Sequence, residues 1–366
     1  GATGWLRLGK LLIKMAQFDK AEELYKILLK ETTNQGEKSH LFHHLGYIKD
    51  NQGRYTEALE YYEKSLEIDQ KTLPTNHPDF AQSYNNIGSV YEKMGEYSKA
   101  LEYYEKSLEI YQKTLPANHP SLATSYNNIG LVYDSMGEYS KALEYFEKSL
   151  EIYQKNLPPN HPSLATSYSN IGLVYSEMGE YSKALEYYEN SLEIYQKALP
   201  ANHPNLASSY NNIGLVYNRM GEYSKALEYC EKSFEIYQKA LPPNHPDLAT
   251  SYNNIGLVYD SMGEYSKALE YYEKSLKIRK KALPANHPDL ATSYNDIGLV
   301  YNRMGDYSKA LEYYEKSLKI RKKALPANHP DLATSYNDIG LVYNRMGDYS
   351  KALEYYENSL EIYQKA

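Results

Sequence analysis

Only one cysteine, Cys230, occurs in the 366 residues. A lone thiol excludes a disulfide framework and predicts a reducing, cytoplasmic setting. Tryptophan is as scarce, with Trp5 alone, and there are five phenylalanines, so the aromatic content rests on 43 tyrosines. No stretch approaches the roughly 18 apolar residues that a spanning helix needs, so no membrane partner is expected. The chain opens Gly1-Ala2-Thr3, with no Met and no charged-then-apolar leader. That opening predicts no secretory signal and a segment cut from something longer. A net charge of −7 argues against nucleic acid as a partner. Phosphate loops, nucleophile elbows and activated thiols are missing too, and Cys230 stands where other repeats have Tyr or Phe. We expect no enzyme activity, no cofactor and no metal.

What is present is repetition. His-Pro recurs at His77, His119, His161, His203, His245, His287 and His329, a constant spacing of 42 residues, and 287–315 is identical to 329–357. A fixed period of this size marks a solenoid, in which each unit buries its apolar face against its neighbours. Within a unit the pattern reads helix, turn, helix. From Pro78 to Met94, Tyr84, Ile87, Gly88 and Tyr91 follow i, i+3, i+4, i+7 spacing, flanked by Phe80, Val90 and Met94. Gly95 ends that helix, and a second runs from about Tyr97 to Thr114, burying Ala100, Leu101, Tyr104, Leu108 and Tyr111. Leu115-Pro116-Ala117-Asn118 then breaks the chain, and His119 or Asn118 caps the next helix, with Pro120 at its first position.

The first helix of every unit carries a central glycine: Gly9, Gly46, Gly88, Gly130, Gly172, Gly214, Gly256, Gly298 and Gly340. A mid-helix Gly costs about 1 kcal/mol relative to Ala, so its recurrence predicts close helix–helix approach. The nine glycines count nine helix pairs, in units of approximately 1–36, 37–76, 77–118, 119–160, 161–202, 203–244, 245–286, 287–328 and 329–366. We expect one all-α domain over 1–366, a right-handed superhelical solenoid. The first two glycines are 37 residues apart rather than 42, so the N-terminal connection is shorter.

These residues resemble the tetratricopeptide repeats. The match is Trp5, Leu8-Gly9, Ala21 and Tyr25 in the first unit, and Tyr126, Ile129-Gly130, Tyr133, Gly137, Tyr139, Ala142 and Phe146 in a later one. The 42-residue length and the Tyr-Tyr-Glu-Lys-Ser-Leu-Glu-Ile-Tyr second helix are most similar to kinesin light chain repeats. The resemblance covers the whole chain and implies a binding scaffold whose first helices line a concave groove. The first unit departs from the pattern with Ala16 where the turn calls for Gly.

On the side of the first helix away from the stack run Asn85 and Asn86, Asn127 and Asn128, Asn170, Asn211 and Asn212, Asn253 and Asn254, Asn295 and Asn337. Beside them lie Leu131, Leu173, Leu215, Leu257, Leu299 and Leu341. Asn is a poor helix former, yet its amide offers a donor and an acceptor, the pair a peptide backbone needs. Such a ladder beside a leucine row fits an extended peptide. Read otherwise, these asparagines fill a solvated face copied by duplication. The basic runs Lys277, Arg279, Lys280, Lys281 and Lys319, Arg321, Lys322, Lys323 read as outer-face charge. The periodic histidines are too far apart to share a metal, and His40, His43 and His44, at i, i+3, i+4 on the groove side of the second unit, read as groove lining, with a metal or pH-sensitive patch as the alternative.

The function these features predict is protein–protein interaction, with an extended peptide in the concave groove. Two alternatives stand beside it: end-to-end self-association through Leu353, Tyr356 and Leu360 of the uncapped last unit, or a regulatory repeat region of a larger enzyme or adaptor.

Overall fold

Each 42-residue unit folds as two antiparallel helices because its apolar spacing has helical period twice over, interrupted by one glycine turn. The computed structural model describes residues 2–365, and among them every regular element is an α-helix. In chain order these are α1 (Ala2–Lys14), α2 (Phe18–Glu31), α3 (Gln35–Asn51), α4 (Tyr55–Thr72), α5 (Pro78–Lys93), α6 (Tyr97–Thr114), α7 (Pro120–Ser135), α8 (Tyr139–Asn156) and α9 (Pro162–Glu177). They continue as α10 (Tyr181–Ala198), α11 (Pro204–Arg219), α12 (Tyr223–Ala240), α13 (Pro246–Ser261), α14 (Tyr265–Ala282), α15 (Pro288–Met304), α16 (Tyr307–Ala324), α17 (Pro330–Arg345) and α18 (Tyr349–Lys365). They form nine helix pairs in two compact units, Gly1–Val132 and Tyr133–Ala366.

Within the first unit α3 packs on α4, α4 on α5, and α5 on α6; within the second, α9 packs on α10, α10 on α11, and α11 touches α13 directly. The third repeat shows the core. Phe80, Ala81, Ile87 and Val90 of α5 are buried with Ala100, Tyr104, Leu108 and Ile110 of α6. Tyr84, Tyr91, Leu101 and Tyr111, expected in the core, are only half-buried. Tyr91 instead stacks on Tyr103 at 5.5 Å between ring centroids. Ser107 is fully buried and donates to the Ala81 carbonyl at 2.8 Å.

The central glycines answer to a contact. A Cβ on Gly88 would sit 2.9 Å from the Tyr104 ring, and one on Gly256 would sit 2.8 Å from the Tyr272 ring. In these repeats the helix pair therefore closes around a tyrosine that needs hydrogen opposite it. At the turn, Gly95 has φ +73°, and in the first repeat Ala16 takes the same left-handed region at φ +55°. The Ala16 departure is thus of residue type, not of geometry.

Each later first helix starts alike. In α5, the Nδ1 of His77 accepts from the Asp79 N–H at 3.3 Å, and Pro78 occupies the first helical position, where its missing N–H costs nothing. His161, His203, His245, His287 and His329 do the same.

Candidate functional site

Residues on the open side of the first helices are tied to the same side of the next first helix. In the first unit, Asn128 Nδ2 donates to Asn85 Oδ1 at 2.7 Å. Asn86 Nδ2 meets His43 Nε2 at 3.3 Å, while its Oδ1 accepts from Gln82 at 3.1 Å. In the second unit, Asn254 Nδ2 donates to Asn211 Oδ1 at 2.6 Å, and Asn212 Nδ2 to Ser169 Oγ at 3.3 Å. These pairs are 43 residues apart, one more than the sequence period, because the second polar position of one repeat faces the first of the repeat before.

Asp stands at the second position in the last two repeats, and there the rung reverses. The Asp296 carboxylate accepts from Asn253, and Asp338 from Asn295. A carboxylate has no hydrogen to give, so the amide opposite must present its nitrogen. The amide oxygens of Asn253 and Asn295 are then left buried without a partner among the described residues. Burial pushes both carboxyls above the ordinary range, and the amide bonds and the Arg279 and Arg321 charges work against that push.

A second row of contacts uses the same register two turns further on. Lys93 Nζ lies 2.7 Å from Asp50. Arg219 donates to Ser176 and lies 2.7 Å from Glu177. Arg303 pairs with the buried Asp260, and Arg345 donates to Asn302 Oδ1 at 3.1 Å. These side chains hold adjacent first helices together. Where no cation answers, the acid is unsettled: burial, with Glu177 nearby, pushes Asp134 up to about 6, and its Oδ1 has no partner among the described residues.

Of the other predicted positions, Leu131, Leu173, Leu215, Leu299 and Leu341 are half-buried beside the asparagines and Leu257 is 36% exposed. Asn127 and Asn170 are half-buried, and Asn337 is exposed. The row thus offers partial apolar surface, with Leu173 and Leu299 also packed on the core.

The basic second helices divide. Arg279 is buried and donates to Ser293 Oγ at 2.7 Å and to the Asp289 carbonyl at 3.2 Å; Arg321 repeats this with Ser335 and Asp331. Other repeats place Tyr here, and Tyr237 reaches back instead to Ser208 of its own repeat at 2.7 Å. These two arginines therefore belong to packing rather than to outer-face charge. Lys280 lies over the Tyr294 ring at 5.3 Å. A run of four basic residues looks uniform in sequence, and only the recurrence of Tyr at Arg279's position signals that one of them turns inward.

Among the described residues no three His, Cys, Asp or Glu side chains converge as a metal would require. The Cys230 thiol is pushed up to about 12 by burial and, secondarily, by Glu231, which keeps it protonated and unreactive. No described helix is long and apolar enough to cross a membrane.

The tetratricopeptide repeat model matches residues 2–71, 37–113, 79–155, 121–197, 205–281 and 289–365. The chain belongs to the tetratricopeptide repeat family, whose helix pairs form interaction scaffolds. It is similar to a Podosopora anserina putative kinesin light chain with nearly identical TPR-like repeats, at 28% identity and TM-score 0.45, over 56% of this chain and 97% of that one. It is also similar to BtubC (BKLC) from P. vanneervenii, at 24% identity and TM-score 0.47, over 63% and 91%. A Rap protein complexed with competence and sporulation factor matches at 18% identity and TM-score 0.65, over 99% and 98%, a likeness of fold. No curated protein matches the chain.

Proposed function

We propose that this chain is a non-catalytic interaction scaffold that binds an extended peptide along the face carrying the asparagine pairs and the leucine row. The observation that carries this reading is the rung itself. Each amide in an Asn–Asn rung spends one hydrogen or one lone pair on its neighbour, which fixes its orientation and leaves further donor and acceptor capacity on the open side. Amides held in place before binding lose little entropy when a main chain meets them. The half-buried leucines beside them supply contact for alternate side chains. The near-identity of the repeats favours a ligand that is itself repetitive, or low sequence selectivity. The proposal covers 1–366 as one repeat domain, in the cytoplasmic compartment that the single buried cysteine suits.

To test it, an arrayed set of extended peptides is screened and the best binder followed by fluorescence anisotropy. Replacing Asn128, Asn170, Asn212 and Asn254 together by Ala should leave helicity by circular dichroism and lower affinity. Unchanged affinity with helicity intact removes the ladder from the binding account.

A second reading has its own observation. Leu353 and Leu360 of α18 are 58% and 57% exposed beside Tyr349 at 70%, while the third expected residue, Tyr356, is half-buried against Gly340 of its own pair; Leu318, the counterpart of Leu360, is 7% exposed beneath the following repeat. That face fits the first helix of a second copy, giving end-to-end association. Sedimentation across a range of concentrations decides it, since a chain that stays monomeric at high concentration has no such contact.

A further inference from the structure

Helix α3 carries a side-chain pair that the peptide reading does not use. His40 and His44 are one turn apart, so they share a face, and their Nε2 atoms lie 3.0 Å from each other. The rings meet at 81°, and His44 is fixed by stacking on Tyr25 at a centroid distance of 5.1 Å. His43 is occupied differently, against the Tyr62 ring at 5.5 Å and bonded to Asn86. His40 is exposed, and the pair opens on a cavity of about 500 Å³ whose walls include Asp69, Asp79 and Gln82.

A neutral imidazole has one N–H and one lone pair, so in the free chain one of these two nitrogens donates to the other. When the donor ring carries its hydrogen on Nδ1 instead, both Nε2 lone pairs are open to a metal. Placed about 2.1 Å from both nitrogens, an ion would see them at an angle of roughly 90°. Tetrahedral zinc prefers about 109°, whereas square-planar or tetragonal Cu²⁺ and Ni²⁺ take neighbouring ligands near 90°. We propose that His40 and His44 form a two-armed chelate for a divalent transition-metal ion, Cu²⁺ or Ni²⁺ in preference to Zn²⁺. No third His, Cys, Asp or Glu completes a set among the described residues, so the remaining positions go to water or to a donor on a bound ligand.

Proton competition is weak at this pair. Burial, then the charge of the neighbouring histidines and Lys10, pushes His44 down to about 3. His40 is lowered by burial and Lys10, against the pull of Asp69 and Asp79, and His43 by burial and His40, against Asp79. The arms are neutral at pH 7.

The test titrates Cu²⁺, Ni²⁺ or Zn²⁺ alone into the full chain, with electron paramagnetic resonance counting nitrogens on bound Cu²⁺. One tight equivalent with two imidazole nitrogens is expected, in the order Cu²⁺, Ni²⁺, Zn²⁺. Losing a second-layer partner alone costs metal sites about 10- to 100-fold, so His40→Ala and His44→Ala should each weaken binding at least ~10-fold. His43→Ala should leave it unchanged. His40 is exposed, so His40→Ala keeps the fold even if His44→Ala does not. A tight equivalent that survives His40→Ala, no equivalent at all, or Zn²⁺ bound more tightly than Cu²⁺ overturns the proposal.

Discussion

Replacing a helical glycine by alanine ordinarily raises stability, and here it should not. In an open helix the exchange contributes about 1 kcal/mol. At Gly256 the added methyl would lie 2.8 Å from the Tyr272 ring and 3.3 Å from the Ala268 carbonyl, both parts of the core that cannot swing away. Overpacking of this kind costs about 1–3 kcal/mol, so Gly256→Ala should destabilise its helix pair by roughly 0–2 kcal/mol net. Gly172 supplies an internal comparison, because there the same methyl meets the Tyr188 ring at 3.1 Å. Gly172→Ala should therefore be the milder change, in an almost identical repeat. Hydrogen exchange read by mass spectrometry gives opening free energies for α13–α14 and α9–α10 separately, which a global melt of a repeat array does not. Adding Tyr272→Leu should recover part of the loss. If Gly256→Ala instead slows exchange in its own helix pair by about fivefold, the full helix-propensity gain, the close-approach account is wrong.

Three further expectations follow from single features. Ala16→Gly should raise stability by about 1 kcal/mol, since Ala16 sits at φ +55° where a Cβ is penalised; fluorescence of Trp5 in the same repeat would report it. His203→Ala should cost α11 about 1 kcal/mol by removing the acceptor at its N-terminus, while His203→Asn, which keeps an acceptor, should cost less in a thermal melt. Asp134 titrates near 6 when folded and near 4 when unfolded, so between those values the fold binds more protons than the open chain. Stability of Tyr133–Ala366 should rise as pH falls from 7 toward 5, and Asp134→Asn should flatten that rise in pH-dependent melts; a stability that falls over this window refutes the assignment.

The helix pairs were legible because their determinants are local. Tyr97–Thr114 matches its predicted bounds, and the first helix ends one residue before the predicted Met94, which caps it. The close approach at Gly88 could be inferred because nothing else accounts for a recurrent glycine. The rungs were not legible. That Asn128 bonds Asn85 depends on how one repeat is rotated on the next, a one-residue offset from the period that no local pattern encodes. The face of candidate residues was readable by helical phase, but its internal pairing was not, and neither was the inward turn of Arg279.

The rung chemistry also bears on how such an array can change length and drift in sequence. Because each bond joins the second polar position of one unit to the first of the unit before, deleting or copying one whole 42-residue block rejoins compatible partners at the new seam. An amide can face either way, so an acid is tolerated at position 296 or 338 as long as Asn253 or Asn295 remains to turn its nitrogen toward it. A second acid across the same rung would set two buried negative charges together. Copy number is thus free to vary while acid substitution is confined to one side, and a chain assembled from mixed blocks would have to respect that polarity at every join.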